Sequence, residues 1–287
     1  MNFGTDTSAV RVTVALGALA GLLVCVMFAP QALAQTQSPM AEWQYSGGVA
    51  LESRYINNPP TWQAQFGLGA EESPLYPGSD RYRFQPAPTF DVRYRDIAFA
   101  SLGEGIGVNL SIGHAHRIGA AITYDLGRRE HLDEQHLHGL GNINPSPELK
   151  LFAEYVIFPL VLRADVRRSF GGYNGWVGDL SAYAPVVGND RFFLMIGPSV
   201  TFADGRHQQS YYGITAAQSA RSGYAPYSAI GGLSHVSFGA NATWFITHHW
   251  LMEGVGAAQR SLGSSDDSPL IEARGQFMAG LFLLYRY

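Results

Sequence analysis

Residues 160–169 read Leu-Val-Leu-Arg-Ala-Asp-Val-Arg-Arg-Ser, and this stretch decides the fold class. Its residues separate into two sets at alternate positions: Leu160, Leu162, Ala164 and Val166 against Arg163, Asp165, Arg167 and Ser169. Successive residues of a β-strand face opposite sides of a sheet, so this period of two predicts a strand with one apolar and one charged face.

The alternation recurs along the chain in segments close to the ~10 residues that cross a bilayer as a tilted strand. We therefore predict an all-β fold, an antiparallel transmembrane β-barrel of twelve strands. The predicted strands are 62–70, 86–95, 97–103, 105–112, 117–126, 149–158, 160–170, 176–186, 192–203, 230–246, 250–262 and 275–287. Residues 97–116 are rich in glycine and hard to divide, so ten strands stay an open alternative.

The connections between these strands alternate in length, as outer-membrane barrels require with short periplasmic turns and longer external loops. The long connections are 71–85, 127–148, 204–229 and 263–274. This order predicts that both termini lie on the periplasmic side. Aromatic residues at strand ends predict an interfacial girdle: Tyr94, Trp176, Trp244, Trp250, Tyr285 and Tyr287. Tyr285 and Tyr287 also resemble the C-terminal signal that barrel assembly machinery recognises.

The N-terminus has the layout of a secretory signal peptide. Arg11 precedes an apolar run from Val12 to Ala29, and Ala32-Leu33-Ala34 provides a cleavage site. The run is also long enough to span a bilayer uncleaved, but the small residues favour cleavage after Ala34. The only cysteine, Cys25, lies inside the run, so the predicted mature chain has no thiol chemistry. We expect a signal peptide at 1–34, a periplasmic leader at 35–61 and a barrel at 62–287.

Composition excludes several classes of function. Cleavage after Ala34 leaves 18 basic and 22 acidic residues, still a net charge of −4, which argues against a nucleic-acid partner. No second run of eighteen apolar residues follows the signal, although the chain holds 33 glycines, 15 tyrosines and 16 phenylalanines. We find no phosphate loop or cofactor fingerprint, and we expect no cofactor.

Several segments between the strands resemble signatures of the MipA/OmpV family. They are Tyr76-Pro77-Gly78-Ser79-Asp80-Arg81-Tyr82-Arg83 with Pro86 and Pro88, Leu126-Gly127-Arg128-Arg129-Glu130, Leu140-Gly141-Asn142-Ile143, Gly197 to Asp204, Tyr211 to Thr215, Asp266 to Leu270, and Leu284 to Tyr287. The resemblance covers roughly 65–287. His131, His136 and His138 depart from it, because relatives tend to be more acidic there.

The resemblance implies a protein of the outer membrane, in contact with its lipids, with no known catalysis. One member is regarded as a scaffold that joins a lytic transglycosylase to a bifunctional penicillin-binding protein in cell-wall (murein) remodelling. Others are described as antigens or adhesins. These partners and roles are implied for this chain by resemblance alone.

Inward charges of both signs predict a structural network in the lumen, because unpaired charge away from water is costly. The predicted members are Asp91, Arg93, Arg95, Asp125, Glu154, Arg163, Asp165, Arg167, Asp179 and Glu253. The same residues could line a selective pore, although mixed charges tend to plug a barrel this narrow.

Two chemical alternatives are weaker. His235, Ser237 and Glu253 resemble the arrangement of lipid A deacylase barrels, but alternation places all three on the polar face, where packing explains them equally. The loop with His131, Asp133, Glu134, His136 and His138 offers ligands for a divalent metal, although a solvated charged loop explains it as well. We therefore predict no catalytic and no metal residues.

The sequence favours a non-catalytic interaction protein, with a scaffolding role in murein synthesis as the first hypothesis. A narrow transport barrel, or an adhesin acting through its external loops, is the alternative.

Overall fold

The structure is a computed structural model that describes residues 60–287. The predicted signal peptide at 1–34 and nearly all of the predicted leader at 35–61 lie outside the described residues. No described helix is long and apolar enough to cross a membrane.

Twelve antiparallel strands close into a barrel in which each strand pairs with its neighbours in the chain and β12 pairs with β1. The strands are β1 Trp62–Pro74, β2 Tyr82–Tyr94, β3 Ala98–Ser101, β4 Gly105–Ile112, β5 His116–Asp125, β6 Ser146–Ile157, β7 Leu160–Ser169, β8 Trp176–Gly188, β9 Phe192–Ala203, β10 Gly232–Phe245, β11 Trp250–Ser261 and β12 Gly275–Arg286. The predicted fold class is confirmed with twelve strands, which removes the ten-strand alternative.

Strand β6 shows why these sequences form this barrel. Its buried positions include Glu148, Lys150 and Glu154, whereas Leu149 and Leu151 are 43% and 49% exposed. The polar residues therefore point into the lumen and the apolar residues point outward. This is the reverse of a soluble sheet and suits a hydrocarbon environment. Apolar side chains on other strands continue the outward face: Leu68, Phe84, Ile106, Ile122, Leu162, Leu180, Phe238, Leu281 and Leu283.

The two ends of the barrel differ. We call one the turn end, because its connections are short: 95–97, 113–115, 158–159, 189–191 and 246–249. The other is the loop end, where the connections are 75–81, 102–104, 126–145, 170–175, 204–231 and 262–274. Three helices lie at the loop end: α1 Glu134–Leu137, α2 Gly205–Tyr212 and α3 Ala216–Ser222. At the turn end Trp62 contacts Tyr94, and Trp250 contacts Tyr285, as an aromatic girdle would place them.

The predicted long connection at 71–85 is wrong, because β1 and β2 continue farther than their apolar pattern does. Glu71 lies opposite Gln85 in the strand register, and the Gln85 amide donates a 2.7 Å hydrogen bond to the Glu71 carboxylate. Polar pairs extend the hairpin here, so apolar alternation underestimates its length. The loop is only 75–81.

Strands β3 and β4 are short, which leaves part of β2 without a second neighbour. Within the described chain, β2 pairs with β3 only over Asp91–Tyr94, and the Phe90 carbonyl accepts from Leu102 N. Even-numbered residues of β2 therefore direct their backbone groups toward this missing neighbour. Pro86 and Pro88 are among these even-numbered residues, and proline has no backbone N–H. Proline thus removes two donors that hydrocarbon could not satisfy.

Candidate functional site

The predicted lumen residues, with one exception, lie on the inner face of the barrel or at its loop end. Seven of them are buried, and Asp125 and Glu253 are half-buried; the buried ones are Asp91, Arg93, Glu154, Arg163, Asp165, Arg167 and Asp179. The prediction is wrong for Arg95. This residue lies exposed in the turn after β2 with φ 47°, beside the Tyr94 ring.

Glu104 is the centre of a buried ion network. It comes from the short turn between β3 and β4, and it is 1% exposed. Arg117 binds it in bidentate fashion, with Nη1–Oε1 at 2.8 Å and Nη2–Oε2 at 2.9 Å. Nη2 of Arg93 lies 3.2 Å from Oε2, and Nη1 of Arg163 lies 3.3 Å from Oε1. One carboxylate therefore contacts three guanidinium groups.

The rest of this network alternates in charge. Arg93 donates two hydrogen bonds to Asp91, at 2.8 and 2.7 Å. Glu154 of β6 lies opposite Arg117 on the neighbouring strand β5 and opposite Arg163 on the other neighbour, β7. We call Asp91, Arg93, Glu104, Arg117, Glu154 and Arg163 the Glu104 cluster. Its three cations and three anions balance, as burial of charge requires.

Aromatic rings support the cations of the Glu104 cluster. The Arg117 guanidinium lies 4.6 Å from the Phe152 ring centre and 4.9 Å from that of Phe99. Glycines on neighbouring strands make room for these rings, since a Cβ at Gly119 would lie 2.4 Å from Phe152. Cation–π contact of this kind stabilises a guanidinium that has lost its water.

A second network lies nearer the loop end around Arg167. Arg167 contacts Asp179 directly, and it lies 3.6 Å from Asp165 and 4.0 Å from Glu148. The hydroxyl of Tyr173, from the loop after β7, donates to Glu148. Together the two networks place mixed charges across much of the inner surface, so the lumen is not a uniform charged channel.

The serine, histidine and carboxylate of the deacylase-like hypothesis do not form a triad. His235 is hydrogen-bonded to the Tyr212 hydroxyl and to Ser234. In the register of β10 and β11, His235 lies opposite Ser261, eight residues from Glu253 along β11. That separation is roughly 26 Å. Glu253 instead accepts a 2.5 Å hydrogen bond from Asn241.

The loop end carries a folded cap, which we define as residues 75–81, 126–145, 204–231 and 262–274. Asp204 caps α2 by accepting from His207 N at 2.9 Å, and Thr215 with Gln218 forms a capping box on α3. The segments also bind each other. Gln218 donates to the Leu140 carbonyl at 2.6 Å, and Ser268 donates to the Tyr212 carbonyl at 2.6 Å.

Helix α2 connects this cap to the lumen. The Tyr211 hydroxyl donates a 2.6 Å hydrogen bond to Asp125 at the end of β5. His207 packs edge-on against Tyr173, with ring centres 4.6 Å apart, and lies 4.8 Å from the Tyr211 ring. Burial among these rings, and secondarily the nearby His235, lowers the pKa of His207 to about 3. His207 is therefore neutral in the folded cap at physiological pH.

The turn end holds an open cavity of about 840 Å³, which we call the vestibule. Its inner lining is mixed, with apolar Val156, Val161, Phe193, Phe245, Leu251 and Leu284 beside polar Gln65, Thr89, Asp91, Thr243 and Glu253. Its rim carries exposed side chains from three turns, including Phe158, Asp190, Arg191 and His248. An apolar wall with a few polar groups is typical of sites that bind ligands or partner segments.

Sequence reasoning missed several members of these networks. Arg117 could have been found, because it shares the inner face of its predicted strand with Gly119 and Ala121. Glu104 lies in a turn, where alternation says nothing about side-chain direction. Helices α2 and α3 could have been predicted from the sequence, because Asp204 is a good N-cap residue and Thr215 with Gln218 has the spacing of a capping box.

Comparison with protein families matches residues 66–287 to the family described as MltA-interacting protein MipA. No curated protein sequence matches the chain at a significant level.

Solved structures of outer-membrane proteins resemble this chain only loosely. Salmonella typhi OmpF, solved with daunomycin, is 8% identical with a TM-score of 0.38, and the match covers 78% of this chain and 97% of that one. OprD from Pseudomonas aeruginosa is 12% identical with a TM-score of 0.33, and the match covers 78% of this chain but 59% of OprD. OmpT of Vibrio cholerae is 7% identical with a TM-score of 0.36, over 81% of this chain and 100% of that one.

Proposed function

This chain belongs to the MipA family, and on that premise we propose that it is a non-catalytic scaffold for murein synthesis and remodelling enzymes. The family match confirms the resemblance inferred from the loop motifs. Together with the closed barrel and its apolar outer face, the match locates the protein in the outer membrane. The family description names an interaction with MltA, and this is the observation that carries the proposal.

The vestibule supports a partner site at the turn end. Short connections are typical of the periplasmic end of outer-membrane barrels, and murein enzymes work in the periplasm. The rim exposes Phe158, which is 87% exposed, and the charged residues Asp190 and Arg191. Aromatic residues and arginine are enriched at protein interfaces, where they often contribute much of the binding energy. A segment of a periplasmic transglycosylase or transpeptidase would place an apolar side chain in the vestibule and a charged group at its rim.

We predict that the double variant Phe158→Ala/Arg191→Glu binds a purified periplasmic lytic transglycosylase about tenfold or more weakly than the parent chain. The loss of one aromatic anchor and one ion pair, each ~1 kcal/mol, gives this factor. Both residues are exposed, so the barrel should fold normally. The measurement is surface binding of the enzyme to the barrel in detergent or nanodiscs.

The matched control is Phe170→Ala/Arg129→Glu, which removes an exposed aromatic and an exposed arginine at the loop end. We expect parent affinity for this variant. If the loop-end variant loses binding and the turn-end variant keeps it, the proposed orientation of the scaffold is wrong. Crosslinking in cells from position 158, with identification of the captured enzymes, tests the same surface without purified partners.

The mixed charges of the lumen argue for a scaffold over a transport barrel. We expect the protein in planar bilayers to show no ohmic, solute-selective openings at modest voltage, because the Glu104 cluster and the cap occupy the lumen path. Conductance steps that persist in repeated preparations, and that change when Arg163 is replaced by methionine, would support transport in place of scaffolding.

A further inference from the structure

Three loops bring metal-ligating side chains together at the outer surface of the cap. Asp133 and His136 come from the loop after β5, and Glu272 comes from the loop after β11. The Nδ1 of His136 lies 3.1 Å from Asp133 Oδ2, and its Nε2 lies 2.5 Å from Glu272 Oε1. One ligand atom from each residue lies within 4.8 Å of the others. The loop histidines His131 and His138 are exposed and lie outside this group.

A further carboxyl group comes from the loop after β1. Asp80 lies beside the Glu272 carboxyl group. Two ionised carboxyl groups this close repel each other, and a cation between them removes the repulsion.

The charge of the group leaves room for a divalent cation. Arg81 donates to Asp133 Oδ1 at 3.2 Å, so one cation already belongs to the group. With three ionised carboxyl groups, Arg81 and a neutral imidazole, the formal charge is −2. A divalent cation would neutralise it, whereas protonation of His136 alone would not.

We propose that Asp80, His136 and Glu272 form a binding site for a divalent cation of the zinc class, oriented by Asp133. The cation would take the place of the proton between His136 Nε2 and Glu272. The Nδ1–H of His136 would keep its bond to Asp133, which is the carboxylate–histidine–metal arrangement of many zinc sites. A small outward movement of the loops accommodates metal–ligand distances of about 2.0–2.2 Å.

The ligand set selects the class of metal. Imidazole with carboxylates suits Zn²⁺ and its neighbours in the transition series, whereas Ca²⁺ and Mg²⁺ prefer sites built from oxygen alone. The three loops that the cation would join, 75–81, 126–145 and 262–274, all belong to the cap. Binding would therefore tie the cap together at its surface, independently of any partner at the turn end.

The experiment is calorimetric titration of the full mature chain, without an affinity tag, with Zn²⁺ in detergent. We expect one saturable site, and at least about 100-fold weaker binding in His136→Ala, because changes even to orienting partners cost 10–100-fold. Asp80→Asn, at an exposed position that folding does not depend on, should weaken binding at least about tenfold. The matched controls His131→Ala and His138→Ala should bind as the parent does.

A second readout concerns the loops themselves. Zn²⁺ should slow trypsin cleavage after the exposed Arg129 in the parent chain and in His138→Ala, and Asp80→Asn should need at least about tenfold more Zn²⁺ for the same protection. Absence of saturable binding, equal affinity for Ca²⁺, or an equal loss in His131→Ala overturns the proposal. In that case His136 only bridges the carboxylates of Asp133 and Glu272 by hydrogen bonds.

Discussion

Replacement of Glu104 by alanine is expected to lower the free energy of unfolding by about 3–5 kcal/mol, the cost of removing one partner from a buried ion network. The parent carboxylate contacts Arg93, Arg117 and Arg163, and it is 1% exposed. Without it, two carboxylates of the Glu104 cluster, Asp91 and Glu154, would remain for three buried guanidinium groups. The measurement is urea unfolding of the refolded barrel in detergent or lipid, followed by tryptophan fluorescence and by gel mobility without heating.

Glu134→Ala supplies the control, because Glu134 is an exposed carboxylate of the cap, and we expect a change within ~0.5 kcal/mol. A double-mutant cycle with Arg117→Met measures the coupling itself. The double variant should lose much less than the sum of the two single variants, since each removes the partner that the other needs. A strictly additive result, or a Glu104→Ala barrel as stable as its parent, would show that the guanidinium groups are satisfied without this carboxylate.

Acid is expected to open the cap through His207. The folded-state pKa of His207 is about 3, below its ordinary value of 6.5, because the imidazole is buried among aromatic rings. The folded cap therefore binds fewer protons than the open cap. Its stabilisation is complete above pH 6.5 and is lost progressively as the pH falls toward 3. The full difference is on the order of 5 kcal/mol.

Hydrogen exchange of residues 204–231, corrected for intrinsic rates, measures this opening between pH 7.5 and 4. Protection should decrease with falling pH in the parent chain, and the decrease should be much smaller in His207→Phe, which keeps an aromatic ring against Tyr173 and Tyr211. His138→Gln, at an exposed histidine, should behave as the parent does. If His207→Phe loses protection at low pH as steeply as the parent, other groups cause the opening.

The expected effects of Glu104→Ala and of acid concern two different parts of the molecule. The Glu104 cluster stabilises the wall of the barrel, whereas His207 controls only the cap on the loop end. The rim residues Phe158 and Arg191 of the proposed partner surface belong to neither part. Variants at positions 158 and 191 should therefore change binding without changing stability, and this separation makes the scaffold hypothesis testable.

The strands were largely predictable from the sequence because alternation is a local property. Strands β4 and β9 begin and end at the predicted residues, and the ends of the other ten differ from the prediction by at most four positions. The larger differences occur where polar pairs replace apolar ones, as at Glu71 and Gln85, because a period of two in hydrophobicity disappears there while the strand continues.

The members of the candidate sites were only partly predictable. Alternation assigns Arg93, Arg163 and Arg167 to the inner face, yet it cannot say which carboxylate each one meets, since that depends on cross-strand register. It also fails at turns. Arg95 and Glu104 both lie next to short strands, but the backbone directs Arg95 to the outside and Glu104 to the centre of the lumen.

The sequence by itself thus determined the barrel, its family and its place in the outer membrane, because each rests on short-range periodicity or on contiguous motifs. Only the tertiary structure decided that Asp133, His136 and Glu272 meet, that Tyr211 of α2 binds Asp125, and that Glu104 joins three arginines. The reason is physical. These contacts join residues far apart in sequence, and they form only once barrel closure has fixed the positions where the loops begin and end.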